Sequence, residues 1–204
     1  MQKYIITGIG TEVGKTVVSA IVSEALRANY WKPVQAGDLD FSDSMKVDAW
    51  TDNVNILEER YRLKTPMSPH SAADIDGISI ASHDFQVPDV NPLVIEGAGG
   101  LMVPLNQTGL TYLDVFQKWN LPVILVSRHY LGSINHTLMS VDALKQRGME
   151  IKGIIFVGDE HPTTESIILK STGLPMIIRI PMTDEVNKDF VMEQAKRPEF
   201  LYSL

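Results

Sequence analysis

The sequence contains no cysteine in its 204 residues. This absence excludes a disulfide framework, a thiolate nucleophile, an iron–sulfur cluster and a cysteine-ligated zinc site. Histidine is also sparse, and no two of the five histidines have the i, i+4 spacing that places two metal ligands on one helix face. We therefore do not expect transition-metal chemistry.

Basic residues and long apolar runs are scarce as well. The chain has 18 Lys and Arg residues against 25 Asp and Glu residues, a formal net charge of −7, whereas general nucleic-acid binding requires a basic surface. No apolar stretch approaches the roughly 20 residues of a membrane helix, and the N-terminus does not have the pattern of a secretory signal. The expectation is a cytoplasmic protein that binds neither nucleic acid nor a membrane.

The composition, 44% hydrophobic and 21% charged, is that of a globular protein with one domain spanning residues 1–204. Short β-type runs alternate with helical patterns, which is typical of an α/β fold with a mostly parallel central sheet and helices on both faces. Helices are predicted after the first strand, from Ser133 as N-cap to Gly148, and at residues 184–196. Residues 60–92 are interpreted as an excursion at one edge of the sheet. The predicted strands are residues 3–7, 31–37, 93–96, 122–126, 153–157 and 176–180.

A glycine-rich turn follows the first predicted strand: residues 8–16 read Gly-Ile-Gly-Thr-Glu-Val-Gly-Lys-Thr. A strand, such a turn and Gly-Lys-Thr opening a helix form the phosphate-binding loop (P-loop) arrangement, in which backbone N–H groups and the helix N-terminus face phosphates. Lys15 is expected to reach the β- and γ-phosphates, and the Thr16 hydroxyl to hold Mg²⁺. Five residues separate Gly8 from Gly14, one more than usual. The second lysine that partition-type ATPases carry near the start of the loop is absent.

Carboxylates at the same edge of the sheet are candidates for a magnesium site. Glu96 ends a predicted strand and is followed by the small residues 97–100, Gly-Ala-Gly-Gly. Ligands of parallel sheets bind at the carboxyl ends of strands, and small residues allow the backbone to approach an anion closely. Asp48 is a second candidate, but it is one of four aspartates between residues 40 and 52. Its spacing alone favours a solvated helix face.

Lys32 lies inside the predicted strand at residues 31–37. A buried ammonium group is costly, so this lysine either faces the active edge, where it balances anionic charge, or lies at the surface where the strand begins. Spacing alone does not separate the two interpretations.

Four sequence blocks resemble the dethiobiotin synthetases of the biotin pathway. They are the segment from Thr7 to Thr16, Lys-Pro-Val-Gln at residues 32–35, Val-Ile-Glu-Gly-Ala-Gly-Gly at 94–100, and Leu-Pro-Val-Ile-Leu-Val followed by Leu-Gly-Ser-Ile-Asn-His-Thr within 121–137. The blocks occur in the family's order and extend over the chain to about residue 153. Members of the family share the longer loop between Gly8 and Gly14.

The resemblance implies a reaction and an assembly. Such enzymes use ATP and Mg²⁺ to join 7,8-diaminononanoate and CO₂ into a cyclic urea, releasing ADP and phosphate. One amine traps CO₂ as a carbamate, a carbamate oxygen takes the γ-phosphoryl group, and the second amine attacks the mixed anhydride to close the ring. The family also implies a homodimer whose active sites lie at the subunit interface.

The resemblance further implies roles for individual residues. Lys15 and Lys32 are the catalytic lysines, and Lys32→Ala is expected to remove ring closure while sparing the fold. The implied metal ligands are Thr16, Asp48 and Glu96. The implied nucleotide-binding residues are Thr11, Glu12, Val13, Gly14, Lys15, Thr16, Val17, Asp48, Glu96, Gly97, Ala98, Gly99 and Pro181. The implied substrate-binding residues are Lys32, Ala36, Gly132, Ser133, Ile134 and Asn135, the last four from the neighbouring subunit, where a helix N-terminus suits the substrate carboxylate.

Two positions depart from the family pattern. Ala36 stands where many members have a hydroxyl residue, and residues 156–159, Phe-Val-Gly-Asp, lack the asparagine that reads adenine in the family. Two other functions remain open at this point: a related amide-forming ligase with a separate source of ammonia, and a partition-type nucleotide switch.

Overall fold

The computed structural model describes residues 2–200 and 204, and within these residues the chain forms nine β-strands. Seven of them form one sheet in which all neighbouring strands run parallel. The strands are β1 (Lys3–Gly8), β2 (Asn29–Trp31), β3 (Val34–Ala36), β4 (Asn55–Leu57), β5 (Tyr61–Leu63), β6 (Leu93–Glu96), β7 (Val123–Arg128), β8 (Ile151–Val157) and β9 (Met176–Ile180). The order in the large sheet is β4-β2-β6-β1-β7-β8-β9.

The centre of the sheet is β1, which lies between β6 and β7 and is buried along its whole length. Ile5 and Ile6 have no exposed area. Because successive side chains of a strand point to opposite faces, these two residues enter two different apolar clusters, one on each side of the sheet. A strand buried on both faces has a continuous apolar sequence, and the pattern at residues 3–7 reflects this.

Helices cover both faces of the sheet. Val18 and Ile21 pack in the same cluster as Ile6, whereas Phe116 packs in the cluster that contains Ile5. The predicted α/β fold with a parallel central sheet is therefore confirmed. The helices are α1 (Lys15–Leu26), α2 (Asp43–Trp50), α3 (Pro69–Ile75), α4 (Tyr112–Trp119), α5 (Ser133–Gln146), α6 (Pro162–Thr172) and α7 (Lys188–Ala195). Among the described residues, none of the helices has the length and apolarity needed to span a membrane.

The single strand predicted at residues 31–37 is in fact two strands that belong to different sheets. β2 joins the large sheet, whereas β3 pairs with β5 in a two-stranded sheet, to which the predicted excursion at 60–92 contributes β5. Pro33 lies between β2 and β3, and a residue without a backbone N–H cannot continue a hydrogen-bond ladder. The break leaves Lys32 at the carboxyl end of β2, at the same sheet edge as the glycine-rich loop.

Two helix starts also differ from the prediction. Ser133, predicted as the N-cap of α5, is its first helical residue, and Gly132 takes the cap position with a φ of 104° and no side-chain hydrogen bond. Glycine adopts this left-handed conformation without steric cost. α7 begins at Lys188, four residues later than predicted, because the Asn187 side chain accepts a hydrogen bond from the Phe190 amide and caps the helix there.

Candidate active site

Residues 9–14 form the loop between β1, which ends at Gly8, and α1, which begins at Lys15, as the sequence predicts. Gly14, with a φ of 91°, precedes α1, and the first turn of α1 has neither an acidic side chain nor a side-chain cap. The Lys15 Nζ donates a hydrogen bond to the Gly10 carbonyl oxygen at 2.7 Å, so this side chain folds back over the loop. Burial and the positive charge of Lys32 lower the pKa of Lys15 to about 8. A helix N-terminus and an ammonium group in one place favour an anion.

Gly8 is required for the shape of this loop. A Cβ at Gly8 would lie 2.5 Å from Val13 Cγ2 and 3.1 Å from both the Gly10 carbonyl oxygen and Lys15 Cδ. We expect Gly8→Ala to lower the melting temperature by roughly 4–8 °C and to weaken ATP binding. Gly10→Ala is the matched control for stability, because its Cβ meets nothing within 4 Å. A Gly8→Ala protein that melts and binds ATP like the wild type would contradict the role of Gly8.

Glu96 is the centre of a buried polar cluster at the carboxyl edge of the sheet. It ends β6 and has no exposed area. Its Oε1 accepts hydrogen bonds from the Thr16 hydroxyl at 2.9 Å and the Lys32 Nζ at 2.8 Å, and its Oε2 accepts one from the Tyr30 hydroxyl at 2.8 Å. Since β6 lies between β1 and β2, the strand order itself brings Thr16 and Lys32 to one carboxylate.

Asp43 is the second carboxylate of this cluster. Its Oδ2 lies 2.8 Å from the Lys32 Nζ. Burial acts to raise the pKa of Asp43, but the Lys32 ammonium and the Thr16 hydroxyl hold it below its usual value. Asp43 is the first residue of α2, where Ser42 caps the helix by accepting a hydrogen bond from the Met45 amide. Its carboxylate is therefore ionised and directed into the cluster.

Asp48, in contrast, is exposed and lies outside the cluster. It follows Asp43 by five residues on α2, which at 3.6 residues per turn places the two carboxylates on different faces of the helix. Of the four aspartates at 40–52, the structure therefore brings Asp43, and not the predicted Asp48, into contact with Lys32. The Ser42-Asp43 pair at a helix start was the available sequence signal. Within the described residues no group of three or more His, Asp or Glu side chains is arranged to hold a metal.

Lys32 is buried rather than exposed, which resolves the alternatives that spacing left open. Its side chain is 3% exposed and contacts Glu96, Asp43 and the Gly97 carbonyl oxygen. Burial acts to lower the pKa of Lys32, but the Glu96 and Asp43 carboxylates outweigh burial and raise the pKa above its ordinary value. Lys32 is therefore a permanent ammonium at physiological pH.

The loop at residues 97–100 packs directly against the P-loop. A Cβ at Gly100 would lie 3.7 Å from the Gly10 Cα, and one at Gly99 would lie 3.7 Å from the Thr11 Oγ1. The positions that exclude a side chain are Gly97, where a Cβ would lie 2.9 Å from Phe116 Cζ, and Gly99, where it would lie 2.7 Å from Val103 Cγ2. Of the other predicted loop residues, Val13 is buried, Val17 is half-buried, and Thr11 and Glu12 are exposed.

Two further predicted residues lie at or just after the ends of other strands. Ala36 ends β3 and is half-buried. Pro181 follows β9 and is exposed. The end of β9 is linked to the P-loop through the end of β8. The Gly158 amide donates a hydrogen bond to the Ile180 carbonyl oxygen, and a Cβ at Gly14 would lie 3.2 Å from Val157 Cγ1.

The predicted substrate segment, residues 132–135, lies at the N-terminus of α5. Ser133 is buried and its neighbours Ile134 and Asn135 are exposed. The segment lines a cleft of about 770 Å³ together with His129 and His161. β7, which leads into α5, is three strands away from β2, a separation of about 14 Å at the usual strand spacing. The sheet order therefore separates this segment from Lys32 of the same chain.

Sequence reasoning missed Tyr30 as well as Asp43. Tyr30 has no exposed area, and burial, followed by the charge of Glu96, raises the pKa of its hydroxyl well above the ordinary value. It is therefore a neutral donor that fixes the Glu96 carboxylate. An apolar run that contains tyrosine gave no sign of this contact, since it depends on β2 pairing with β6.

The chain matches a family model described as an AAA domain over residues 2–189. Proteins named ATP-dependent dethiobiotin synthetase BioD are similar to it over nearly their whole length. The Christiangramia forsetii protein is 56% identical over 203 residues, which cover 96% of this chain and 97% of that protein. The Rhodopseudomonas palustris (strain BisB18) protein is 49% identical over 189 residues, 91% and 90% of the two chains. The Cytophaga hutchinsonii protein is 45% identical over 199 residues, 96% of each.

Solved structures share the fold at low sequence identity. A putative plasmid partition protein from Borrelia burgdorferi bound to AMPPNP superposes with a TM-score of 0.59 at 12% identity, covering 98% of this chain and 96% of that one. The cell division ATPase MinD from Pyrococcus furiosus superposes with a TM-score of 0.56 at 16% identity, covering 95% and 89%. At such identities the likeness shows the fold alone.

Proposed function

The chain belongs to the family of ATP-dependent dethiobiotin synthetases, and from this membership we propose how its residues divide the reaction. It is a carbon–nitrogen ligase that uses ATP as co-substrate to close the cyclic urea of dethiobiotin in biotin biosynthesis. An amide-forming ligase or a partition-type switch is not favoured, since relatives matched over nearly their whole length carry this one name. In this proposal residues 1–204 form a single ATP-binding ligase domain.

The oxygens around Thr16 fit a magnesium ion. The Thr16 hydroxyl bonds to Glu96 Oε1, and the Asp43 carboxylate lies on the other side of the Lys32 ammonium. Two carboxylates and a hydroxyl beside a phosphate loop are the hard oxygen ligands that Mg²⁺ prefers. We therefore assign Thr16, Asp43 and Glu96 as its ligands. Bound there, the ion stabilises the charge that develops on the transferred phosphoryl group.

The two lysines act on the anionic oxygens of the reaction. Lys15, folded over the P-loop, holds the β- and γ-phosphates, while Lys32 holds the carbamate oxygen and the γ-phosphate. Phosphoryl transfer depends mainly on positioning and charge stabilisation, which two buried ammonium groups supply. Residues 11–17 and 97–99, together with Pro181, line the nucleotide, and Ala36 borders the substrate. The observation that carries these assignments is the convergence of Thr16 and Lys32 on the buried Glu96.

The product itself tests the function. Purified protein is incubated with 7,8-diaminononanoate, bicarbonate, MgCl₂ and ATP, and the cyclic urea is sought by mass spectrometry together with one ADP per product. Omission of diaminononanoate is the control. A folded protein that binds ATP but forms no cyclic urea would overturn the assignment.

Asp43→Asn tests the choice of metal ligand. We expect it to raise the Mg²⁺ concentration for half-maximal activity at least about tenfold, because a charged ligand becomes a neutral amide. Asp48→Asn removes the same charge from the exposed face of the same helix, and it should leave the Mg²⁺ dependence within about twofold. The measurement is a Mg²⁺ titration at saturating ATP and diaminononanoate. Equal shifts in both variants would reject Asp43.

We place the substrate carboxylate at residues 132–135 of a second subunit, so that two chains form a homodimer with shared sites. The first amides of α5 have no side-chain cap, and a helix N-terminus favours a carboxylate. The sheet order separates this segment from Lys32 of its own chain. Leu131, which precedes it, is fully exposed, as a residue that contacts another subunit would be in an isolated chain.

Mixing two inactive variants tests the shared site. Lys15→Ala disables the phosphate site, and Asn135→Asp places a carboxylate where the substrate carboxylate binds, while remaining compatible with a helix N-terminus. If the site combines two chains, coexpression should restore about one quarter of the wild-type activity, since half of the dimers contain one intact site. If each site belongs to one chain, no heterodimer has an intact site. Activity of the mixture no higher than that of the single variants would therefore reject the shared site.

A further inference from the structure

The Lys32 ammonium has no hydrogen bond left to offer a substrate in the arrangement that the structure shows. Its Nζ lies 2.8 Å from Glu96 Oε1, 2.8 Å from Asp43 Oδ2 and 3.2 Å from the Gly97 carbonyl oxygen. A lysine ammonium carries three N–H donors, and three protein acceptors surround this one. A substrate oxygen can bind Lys32 only after one of these contacts breaks.

The oxygens that hold Lys32 are also those that a divalent cation would use. Glu96 Oε1 accepts hydrogen bonds from both the Thr16 hydroxyl and the Lys32 ammonium, and the Asp43 carboxylate forms an ion pair with the same ammonium group. Positive charges a few ångströms apart repel strongly in a buried site. The pair of carboxylates therefore cannot hold the ammonium group and a divalent cation in the same position.

We propose that Lys32 occupies the cation position between Glu96 and Asp43 until a divalent cation displaces its ammonium group, and that this displacement frees Lys32 to bind the substrate. The inference rests on the proposed function of the same site and adds an order of events to it. Lys32 becomes available to an anionic oxygen only after the two carboxylates have another partner.

The surroundings of Lys32 allow this exchange. The Tyr30 hydroxyl remains on Glu96 Oε2, so the carboxylate keeps its orientation when Lys32 leaves Oε1. The four-carbon stem of lysine lets the ammonium move without a change of backbone. Lys15 and Lys32 balance Asp43 and Glu96, so a divalent cation makes the cluster positive, and a positive cluster attracts the anionic nucleotide and carbamate.

The affinity for a divalent cation tests the exchange without any measurement of activity. Mn²⁺ binding is followed by electron paramagnetic resonance of the free ion, in the absence of nucleotide. We expect Lys32→Met to bind Mn²⁺ at least about tenfold more tightly than the wild type, because no ammonium has to be displaced. Lys46→Met is the matched control. Lys46 also contacts Asp43, at 3.5 Å from Oδ1, but it does not lie between Glu96 and Asp43. The Mn²⁺ affinity of this variant should therefore stay within about twofold of the wild type.

Other outcomes of this titration are decisive. Equal or weaker Mn²⁺ binding by Lys32→Met overturns the exchange and leaves the metal site and the ligase function standing. Absence of Mn²⁺ binding in the wild type and in Lys32→Met overturns both the exchange and the metal ligands, while the product assay still judges the ligase function.

A second measurement uses the unaltered chain, so it does not depend on the folding of a variant. Reductive methylation followed by mass spectrometry reports how fast each lysine reacts. Lys32 should react slowly without a divalent cation and at least about tenfold faster with saturating Mn²⁺, since its amine then leaves the position between Glu96 and Asp43. Lys118, exposed on α4, should react equally in both conditions. A Lys32 rate that Mn²⁺ leaves unchanged or lowers overturns the exchange.

Discussion

Lys15→Ala is expected to lower kcat/KM for ATP-dependent ring closure by about a thousandfold. Lys15 is the ammonium group that the P-loop holds, since its Nζ donates to the Gly10 carbonyl oxygen. Without it, the β- and γ-phosphates lose a positive charge in a site where the side chain is only 7% exposed and water screens little. The measurement is steady-state cyclic urea formation with varied ATP.

The same substitution should leave the fold intact, which separates a lost phosphate contact from a lost structure. Lys15 has no carboxylate within salt-bridge distance in the described residues, because Lys32 already pairs with Glu96 and Asp43. Its removal therefore leaves no buried negative charge without a partner. Urea unfolding should show a change in the free energy of unfolding below about 1 kcal/mol. Lys118→Ala, at an exposed position on α4, is the control with unchanged activity. Wild-type turnover in Lys15→Ala would remove the P-loop from the mechanism.

The features that the sequence predicted well are those in which one continuous segment determines both structure and chemistry. The P-loop needs only β1, the turn at residues 8–14 and the start of α1, all of which are adjacent in the chain. Glu96 was predicted for a similar reason: a buried run of four residues ends on an acid, and the carboxyl ends of parallel strands share one edge.

The features that the sequence did not predict depend on contacts between distant segments. Asp43 and Asp48 are both acids on one short helix, and only the docking of α2 against the sheet decides which of them meets Lys32. The division of residues 31–37 into β2 and β3 follows from pairing with β6 and β5, although Pro33 marks the place. The interpretation of Lys32 changes most between sequence and structure. Its spacing allowed either a surface position or a position at the active edge of the sheet, whereas the fold buries it between two carboxylates.

That burial changes the expected result of Lys32→Ala. The sequence alone leads to the expectation that this substitution removes ring closure and leaves the fold intact. In the structure, it leaves Glu96, with no exposed area, and Asp43 without their shared cation. Removing one partner of a buried ion pair costs about 3–5 kcal/mol, because the remaining charge is desolvated and unpaired. We therefore expect Lys32→Ala to lose both ring closure and about that much free energy of unfolding.

Urea unfolding at low ionic strength without divalent cations measures this loss, and two comparisons assign its cause. Lys46→Ala, at the partly exposed contact to the same Asp43, should cost less than about 1 kcal/mol. Lys32→Met combined with Glu96→Gln removes both charges of the buried pair, so it should recover most of the stability that Lys32→Met alone loses. If the double variant were no more stable than Lys32→Met, the loss would come from packing around the lysine stem and not from an unpaired Glu96. The stem of Lys32 would then stabilise the fold by packing, and its charge would contribute to the reaction but not to stability.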